Sequence, residues 1–83
     1  MNWVVYMLLL SNQAYYTGAT NNLTKRLKTH AAGKGSKYVR SHLPFKLVRV
    51  EGYTAKSEAL KREGQIKRLT HQQKEQLIGG VNE

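Results

Sequence analysis

The sequence contains no cysteine. This absence excludes disulfide bonds and metal sites built from thiolates, and it leaves the redox compartment open. Acidic residues are scarce. The chain has 14 Lys and Arg residues but only 5 acidic residues, and none of the five is Asp. A catalytic centre with two metal ions needs several clustered carboxylates, which this chain can hardly supply. If a metal is used, the composition allows one ion, held by one glutamate and by oxygens of a substrate.

Long hydrophobic runs are lacking as well. The apolar run WVVYMLLL at residues 3–10 is far shorter than the roughly 20 residues that a membrane-spanning helix needs. No basic residue precedes it and no cleavage site of small residues follows it, so it does not resemble a signal peptide. We therefore expect a cytoplasmic protein in which this run forms a β-strand covered on both faces.

Positive charge is what the chain has in excess, with a net charge of +9 on 83 residues. Such an excess predicts an anionic partner, with nucleic acid as the leading candidate and a membrane surface as the next. The basic loop GKGSKYVR at residues 33–40 suits contact with a phosphate backbone. We expect the nucleic-acid contacts to come from Lys25, Lys34, Lys37, Arg40 and Lys67.

Two other kinds of site are excluded. The segment GKGSK at residues 33–37 is not a P-loop, because both the Gly-Lys-Ser/Thr run and the earlier glycine are missing. The three histidines, His30, His42 and His71, are too scattered to form a zinc site.

The pattern of apolar, turn and capping residues predicts one small α+β domain, an α/β sandwich with the order ββα(α)βαα. We expect a three-stranded, largely antiparallel sheet flanked by helices, over residues 1–78, followed by a short tail at 79–83. The first two strands form a hairpin over about residues 3–18 and the third strand spans 45–53. Helices begin after Asn21 or Asn22, after Ser36, after Thr54 and after Thr70, and Gly33 ends the first of them.

The adjacent tyrosines of the second strand, Tyr15 and Tyr16, face opposite sides of the sheet, so they cannot share a role. We assign Tyr15 to packing. We expect Gly18 to let the chain turn into the first helix.

Among the glutamates, Glu58 suits a helix dipole and Glu51 a strand end, whereas Glu63 is unusual. Its position relative to Ala59, Leu60 and Ile66 puts a carboxylate on or beside the core-facing side of its helix. One interpretation is a functional carboxylate. The other is a rim residue that pairs with Lys67 at i+4.

Arg26 and His30 form a similar pair on the first helix. They lie one turn apart at the edge of an apolar stripe made by Leu23, Leu27 and Ala31. Two such groups can point at one anion, for instance a phosphate. Alternatively, Arg26 extends to solvent along its aliphatic stem and His30 packs near the helix end, where the imidazolium is favoured.

These positions together resemble a known family. VVY at residues 4–6 and YTG at residues 16–18 resemble the signature of the GIY-YIG nucleases, and Arg26, His30 and Glu63 fall where that family keeps functional residues. The resemblance covers roughly residues 2–78 and is greatest to the small stand-alone bacterial members. It implies a catalytic domain with a three-stranded antiparallel sheet that hydrolyses a phosphodiester bond with Mg²⁺ or Mn²⁺. Relatives include the excision-repair incision subunit and structure-selective endonucleases acting on branched DNA, which implies a role in DNA repair.

The resemblance also implies a role for each site residue. Glu63 would bind a single Mg²⁺ or Mn²⁺ ion, and Arg26 would stabilise the extra charge on the pentacovalent phosphorus. Tyr6 would act as general base or position the attacking water. Tyr16 and His30 would orient water and phosphate, and His30 would relay a proton near neutral pH.

The sequence departs from the family pattern at several positions. Thr17 replaces the central Ile of the second tripeptide, and Ala19 stands where some relatives carry Lys. Asn82 is a candidate for the family's late Asn. The main alternative function is a nucleic-acid-binding module that keeps the fold without turnover. Retention of all five site positions distinguishes the enzyme from such a module, because binding alone does not require them.

Overall fold

A computed structural model describes residues 2–79 of the chain. Three strands and four helices follow one another as β1 (Trp3–Leu9), β2 (Tyr15–Thr20), α1 (Leu23–Ala31), α2 (Lys37–Ser41), β3 (Lys46–Tyr53), α3 (Lys56–Lys67) and α4 (His71–Gly79). The sheet has the order β2-β1-β3, and both pairs are antiparallel. The predicted fold class is confirmed.

The limits of the described part bear on two predictions. Of the predicted tail, only Gly79 is described, as the last residue of α4. Asn82 lies outside the described residues. Within residues 2–79, none of the helices has the length and apolarity needed to span a bilayer.

The central strand β1 is covered on both faces, as the continuous apolar run predicts. On one face Val5 and Met7 pack against α3, through Ala59 and Ile66. The opposite face carries Tyr6, Leu8 and Leu10 and packs against Val39 of α2, with Leu23 and Leu27 of α1 alongside. The domain thus has two small cores separated by one sheet, and Tyr6 belongs to the core on the α1 side.

The capping residues define most of the helix ends as expected. The Asn22 side chain accepts a hydrogen bond from the Lys25 N–H at 3.0 Å, and the Ser36 hydroxyl accepts one from the Val39 N–H at 3.4 Å. Thr70 caps α4 by accepting from the Gln73 N–H at 3.1 Å. These bonds satisfy backbone donors that the first turn of a helix leaves unpaired.

The start of α3 differs from the prediction. Its N-cap is Ala55 rather than Thr54. The Glu58 carboxylate accepts hydrogen bonds from the Ala55 N–H at 3.3 Å and from the Thr54 hydroxyl at 3.2 Å. The Thr54 hydroxyl thus stabilises the helix start through Glu58 rather than by capping the backbone. Glu58 nevertheless lies in the first turn, where a negative charge is favourable.

Glu51 plays a larger part than its expected place at a strand end suggests. Its carboxylate accepts hydrogen bonds from Arg62 of α3 at 2.8 Å, from Arg49 at 2.7 Å and from the Tyr53 hydroxyl at 2.8 Å. The hydrogen bond from Arg62, supported by those from Tyr53 and Arg49, lowers the pKa of Glu51 to about 2 despite its partial burial. Arg49 also donates to the Leu77 carbonyl at 3.0 Å. This network fastens the edge strand β3 to both α3 and α4.

Candidate active site

The hairpin register places Tyr6 directly opposite Gly18. A Cβ atom at Gly18 would lie 2.5 Å from the Tyr6 Oη and 2.7 Å from its Cζ. The ring of Tyr6 therefore packs directly against Gly18, in the space that a side chain at position 18 would occupy. The expected turn at Gly18 is wrong: this residue lies inside β2, which continues to Thr20. Gly18 is needed for close packing against Tyr6, not for a change of chain direction.

The hydroxyl of Tyr6 is the point where the predicted residues meet. The ring is fully buried, and its Oη lies 2.8 Å from His30 Nε2 and accepts a hydrogen bond from Arg26 Nε at 3.3 Å. The Tyr16 ring meets the His30 ring edge-on, with centroids 5.3 Å apart. The structure thus brings Arg26 and His30 to the Tyr6 oxygen, with the Tyr16 ring packed beside His30.

His30 is more deeply placed than the helix periodicity suggests. It is 1% exposed, whereas its neighbour Ala31, expected in the apolar stripe, is exposed. The alternative that His30 lies at the helix end as an imidazolium is not supported, because burial and then the positive charge of Arg26 lower the pKa of His30. Near neutral pH this histidine is a neutral imidazole.

The electrostatics of the Tyr6 hydroxyl are a balance of opposing effects. Burial raises the pKa of Tyr6 above its ordinary value, and the hydrogen bond from Arg26 opposes that rise. The same hydrogen bond raises the pKa of Arg26, which stays positively charged. The resting site is therefore a neutral phenol and a neutral imidazole beside a guanidinium cation.

Glu63 belongs to α3. It lies between the buried residues Ala59 and Ile66 on the inward side of the helix, and its side chain is 18% exposed. Its negative charge contributes to raising the pKa of both Tyr6 and Arg26, so it acts on the same site. Its carboxylate is also 3.1 Å from the Lys67 Nζ. The predicted pairing with Lys67 is therefore present, and a functional role for Glu63 stays a prediction.

These side chains can supply only part of the coordination of a divalent cation. Within the described residues, no three side chains of His, Asp or Glu are grouped to enclose a metal ion. The charge of Glu63 acts on Tyr6 and Arg26, and its side chain is partly accessible. Mg²⁺ commonly binds through one or two carboxylates while keeping several waters and substrate oxygens. The donor set therefore fits one ion shared between Glu63 and a substrate.

The predicted nucleic-acid contacts are distributed unevenly. Lys25 lines a cavity of about 130 Å³ together with Arg26, Thr29 and the residues 20–22. Three others, Lys34, Lys37 and Arg40, are exposed on the loop after α1 and on α2. Lys67 is engaged with Glu63. The first four therefore present positive charge to solvent, whereas Lys67 lies beside the proposed metal ligand.

Two residues of the site were missed from the sequence, Gly35 and Ser36. A Cβ at Gly35 would lie 2.5 Å from His30 Nδ1, and the Ser36 N–H donates to the same nitrogen at 3.4 Å. The only sequence signal is the pair of glycines around Lys34, which indicates a loop but not what the loop touches.

The comparison with known proteins shows which family the chain belongs to. Residues 2–76 match the family model of the GIY-YIG catalytic domain. The UPF0213 protein CPE1444 of Clostridium perfringens is 51% identical over 78 residues, which cover 94% of this chain and 83% of that protein. The UPF0213 protein BH0048 of Halalkalibacterium halodurans is 42% identical over 78 residues, which also cover 94% of this chain and 83% of that protein.

Two solved structures are similar over most of the chain. The solution NMR structure of BH0048 has a TM-score of 0.62 at 42% identity and covers 94% of this chain and 83% of that one. The solution NMR structure of protein EF2693 from E. faecalis has a TM-score of 0.62 at 37% identity, covering 89% of this chain and 79% of that one. The resemblance inferred from the two tripeptides is confirmed: the chain belongs to the GIY-YIG family of nuclease domains.

Proposed function

We propose that this protein is a metal-dependent endonuclease that hydrolyses phosphodiester bonds in DNA. The observation that carries the proposal is the convergence of His30 Nε2 and Arg26 Nε on the Tyr6 hydroxyl, at 2.8 and 3.3 Å. A surface that only binds phosphate needs exposed cations. It does not need a buried phenol between an imidazole and a guanidinium, with a carboxylate in electrostatic range.

Arg26 supplies positive charge where the reaction develops negative charge. Its Nε–H binds Tyr6, and a guanidinium has further N–H donors in a fixed plane. Those donors suit two oxygens of one phosphate. We propose that this contact strengthens as the phosphorus gains its fifth oxygen, so that Arg26 lowers the barrier more than it tightens ground-state binding.

Tyr6 acts on the attacking water. Because burial keeps its pKa above the ordinary value, the hydroxyl is neutral in the resting protein and orients water by hydrogen bonding. To act as a base, Tyr6 would first release its own proton to solvent, and the donation from Arg26 eases that release because it favours the phenolate. The phenolate would then accept a proton from the attacking water. Glu63 would hold a Mg²⁺ or Mn²⁺ ion, which would supply Lewis-acid charge at the scissile phosphate.

Charge supports a nucleic acid as the substrate, and we propose DNA, with repair or processing of branched or damaged DNA in the cytoplasm as the setting. The net charge is +9, and Lys34, Lys37 and Arg40 are exposed on one continuous segment. Contacts of this kind follow the backbone rather than the base edges. We therefore expect selection by DNA structure, and binding that weakens steeply as salt rises.

One observation favours the second candidate, a non-catalytic DNA-binding module. Lys67 lies 3.1 Å from Glu63 and so competes with a metal ion for the carboxylate. If that ion pair persists on DNA, the chain would bind without cutting.

Cleavage assays separate the two functions. Nicked, branched and linear DNA, and matched RNA, are incubated with Mg²⁺, Mn²⁺ or EDTA and with wild type, Glu63→Gln or Arg26→Ala. Glu75→Gln is the matched control, since Glu75 is an exposed α4 carboxylate. We expect metal-dependent cutting of DNA by wild type and the control, and its loss in the other two variants. Absence of cutting by wild type that still binds DNA would establish the binding module instead.

A further inference from the structure

The second ring nitrogen of His30 faces the loop between α1 and α2. The Ser36 N–H is directed at Nδ1 at 3.4 Å. A backbone N–H can only donate, so Nδ1 must carry a lone pair when this bond is formed. Gly35 lies against the same edge of the ring, where a Cβ would be 2.5 Å from Nδ1 and 2.9 Å from Cε1.

The loop is held at both ends, so this contact has a fixed geometry. At its start, Gly33 has φ +78°, its N–H donates to the His30 carbonyl at 3.0 Å, and the Lys34 N–H donates to the Thr29 carbonyl at 3.0 Å. These two bonds form a Schellman motif, which ends α1. At its other end Ser36 caps α2. The backbone at Gly35 and Ser36 is therefore placed by the same helix that carries His30.

This contact determines where the imidazole proton lies. A neutral imidazole that accepts at Nδ1 carries its hydrogen on Nε2. Nε2, 2.8 Å from the Tyr6 Oη, is then the donor in that hydrogen bond. Arg26 donates to the same oxygen. With two donors directed at it, the Tyr6 oxygen serves as acceptor to both, and its own O–H must point to a third partner.

We infer that Gly35 and Ser36 are positioning residues that hold His30 in its Nε2–H tautomer and so direct the Tyr6 O–H away from the histidine, toward the attacking water or a phosphate oxygen. In the opposite tautomer, the Tyr6 O–H would donate its hydrogen bond to Nε2 and would not be available to water or phosphate. His30 therefore serves the resting site as a donor, not as the acceptor of the Tyr6 proton. The catalytic consequence rests on the proposed function, whereas the tautomer does not.

The tautomer is measured directly by ¹⁵N NMR of the histidine ring nitrogens in the wild-type protein near neutral pH. We expect His30 Nε2 to be protonated and Nδ1 to be unprotonated. Gly35→Ala should shift the His30 ring signals toward the other tautomer or toward a mixture. Gly79→Ala is the control, because a Cβ there meets nothing within 4 Å. A wild-type Nδ1–H tautomer, or an unchanged His30 spectrum in folded Gly35→Ala, would overturn the inference.

A pair of substitutions at His30 tests the catalytic consequence without changing Gly35. The amide nitrogen of Gln can take the place of Nε2 and still donate to Tyr6, whereas that of Asn corresponds to Nδ1. We expect His30→Gln to cleave DNA at least about tenfold faster than His30→Asn, a difference of about 1.4 kcal/mol in the barrier. Equal rates in the two variants would contradict the donor role.

The two proposals fail in different ways. If the Nε2–H tautomer is observed and no DNA is cut, the nuclease function is wrong and the assignment of the tautomer stands. If DNA is cut and the wild-type ring carries its hydrogen on Nδ1, the inference about the loop is wrong and the nuclease function stands.

Discussion

Replacing Gly18 by alanine tests the packing on which the site depends. In the structure the added Cβ would lie 2.5 Å from the Tyr6 Oη, 2.7 Å from Cζ and 3.0 Å from Cε1. Unstrained non-bonded atoms lie roughly 3.5 Å or more apart. The ring must therefore move by about 1 Å, or the two strands must separate. Tyr6 is fully buried and its Oη is hydrogen-bonded to His30, so neither movement is free.

The magnitudes follow from this displacement. Overfilling a packed core costs about 1–3 kcal/mol, and each 1 kcal/mol lowers the melting temperature of a domain of this size by about 4–8 °C. A movement of 1 Å in a catalytic group can lower the rate by about 100-fold. We expect Gly18→Ala to remain folded but to lose both stability and most of the cleavage rate.

The assays are urea unfolding and the DNA cleavage rate at saturating DNA. Gly64→Ala is the matched control, because its Cβ would meet nothing within 4 Å and alanine favours a helix by about 1 kcal/mol. Removing the hydroxyl in Gly18→Ala/Tyr6→Phe should relieve part of the strain, so the double variant should be more stable than the sum of the single effects. Wild-type stability and rate in Gly18→Ala would refute the packing argument.

Two further predictions concern Glu51 and Lys67. The pKa of Glu51 is lowered from 4.5 to about 2, so its contribution to stability is complete above pH 4.5 and is lost as the pH falls through that interval. At 1.36 kcal/mol per pKa unit, this contribution to the free energy of unfolding is about 3 kcal/mol. Glu51→Gln should remove it at pH 7 and should flatten the loss of stability at acid pH, measured by urea denaturation over a pH series. An unchanged loss of stability at acid pH would contradict the role of the network with Arg62. Lys67→Gln should lower the Mg²⁺ concentration for half-maximal cleavage by up to roughly fivefold at saturating DNA, because a cation 3.1 Å from Glu63 no longer competes with the metal. An equal or higher Mg²⁺ concentration for half-maximal cleavage would show that the ion pair does not compete.

Much of the fold could be predicted because it depends on local patterns. The continuous apolar run of β1 indicates a strand buried on both faces, which the two cores confirm. Asn22, Ser36 and Thr70 are capping residues whose hydrogen bonds lie within three residues along the chain. Thr54 is the exception, because the N-cap is its neighbour Ala55 and its hydroxyl donates to Glu58. Local chemistry therefore predicts where elements begin better than it predicts which of two neighbours is the cap.

The contacts within the site could not be predicted in the same way. The place of Gly18 depends on the strand register that sets it opposite Tyr6, and a glycine after a tyrosine in a hairpin equally suggests a turn. The contact of Gly35 with His30 depends on the path of the loop. Glu51 joins Arg62, 11 residues away on another element. Residue type predicted which side chains could carry chemistry, and three-dimensional packing determines which atoms they reach.

The single-turnover DNA cleavage rate of Glu63→Gln, measured beside wild type at equal DNA occupancy, tests the central claim most directly. Glutamine keeps the size of the side chain but removes the charge that would hold a metal ion and that acts on Tyr6 and Arg26. We expect the rate to fall at least about 100-fold while DNA binding is kept, and Glu75→Gln to cut as wild type does. Equal rates for wild type and Glu63→Gln, or binding without cleavage by wild type, would contradict the assignment of this chain as a metal-dependent nuclease.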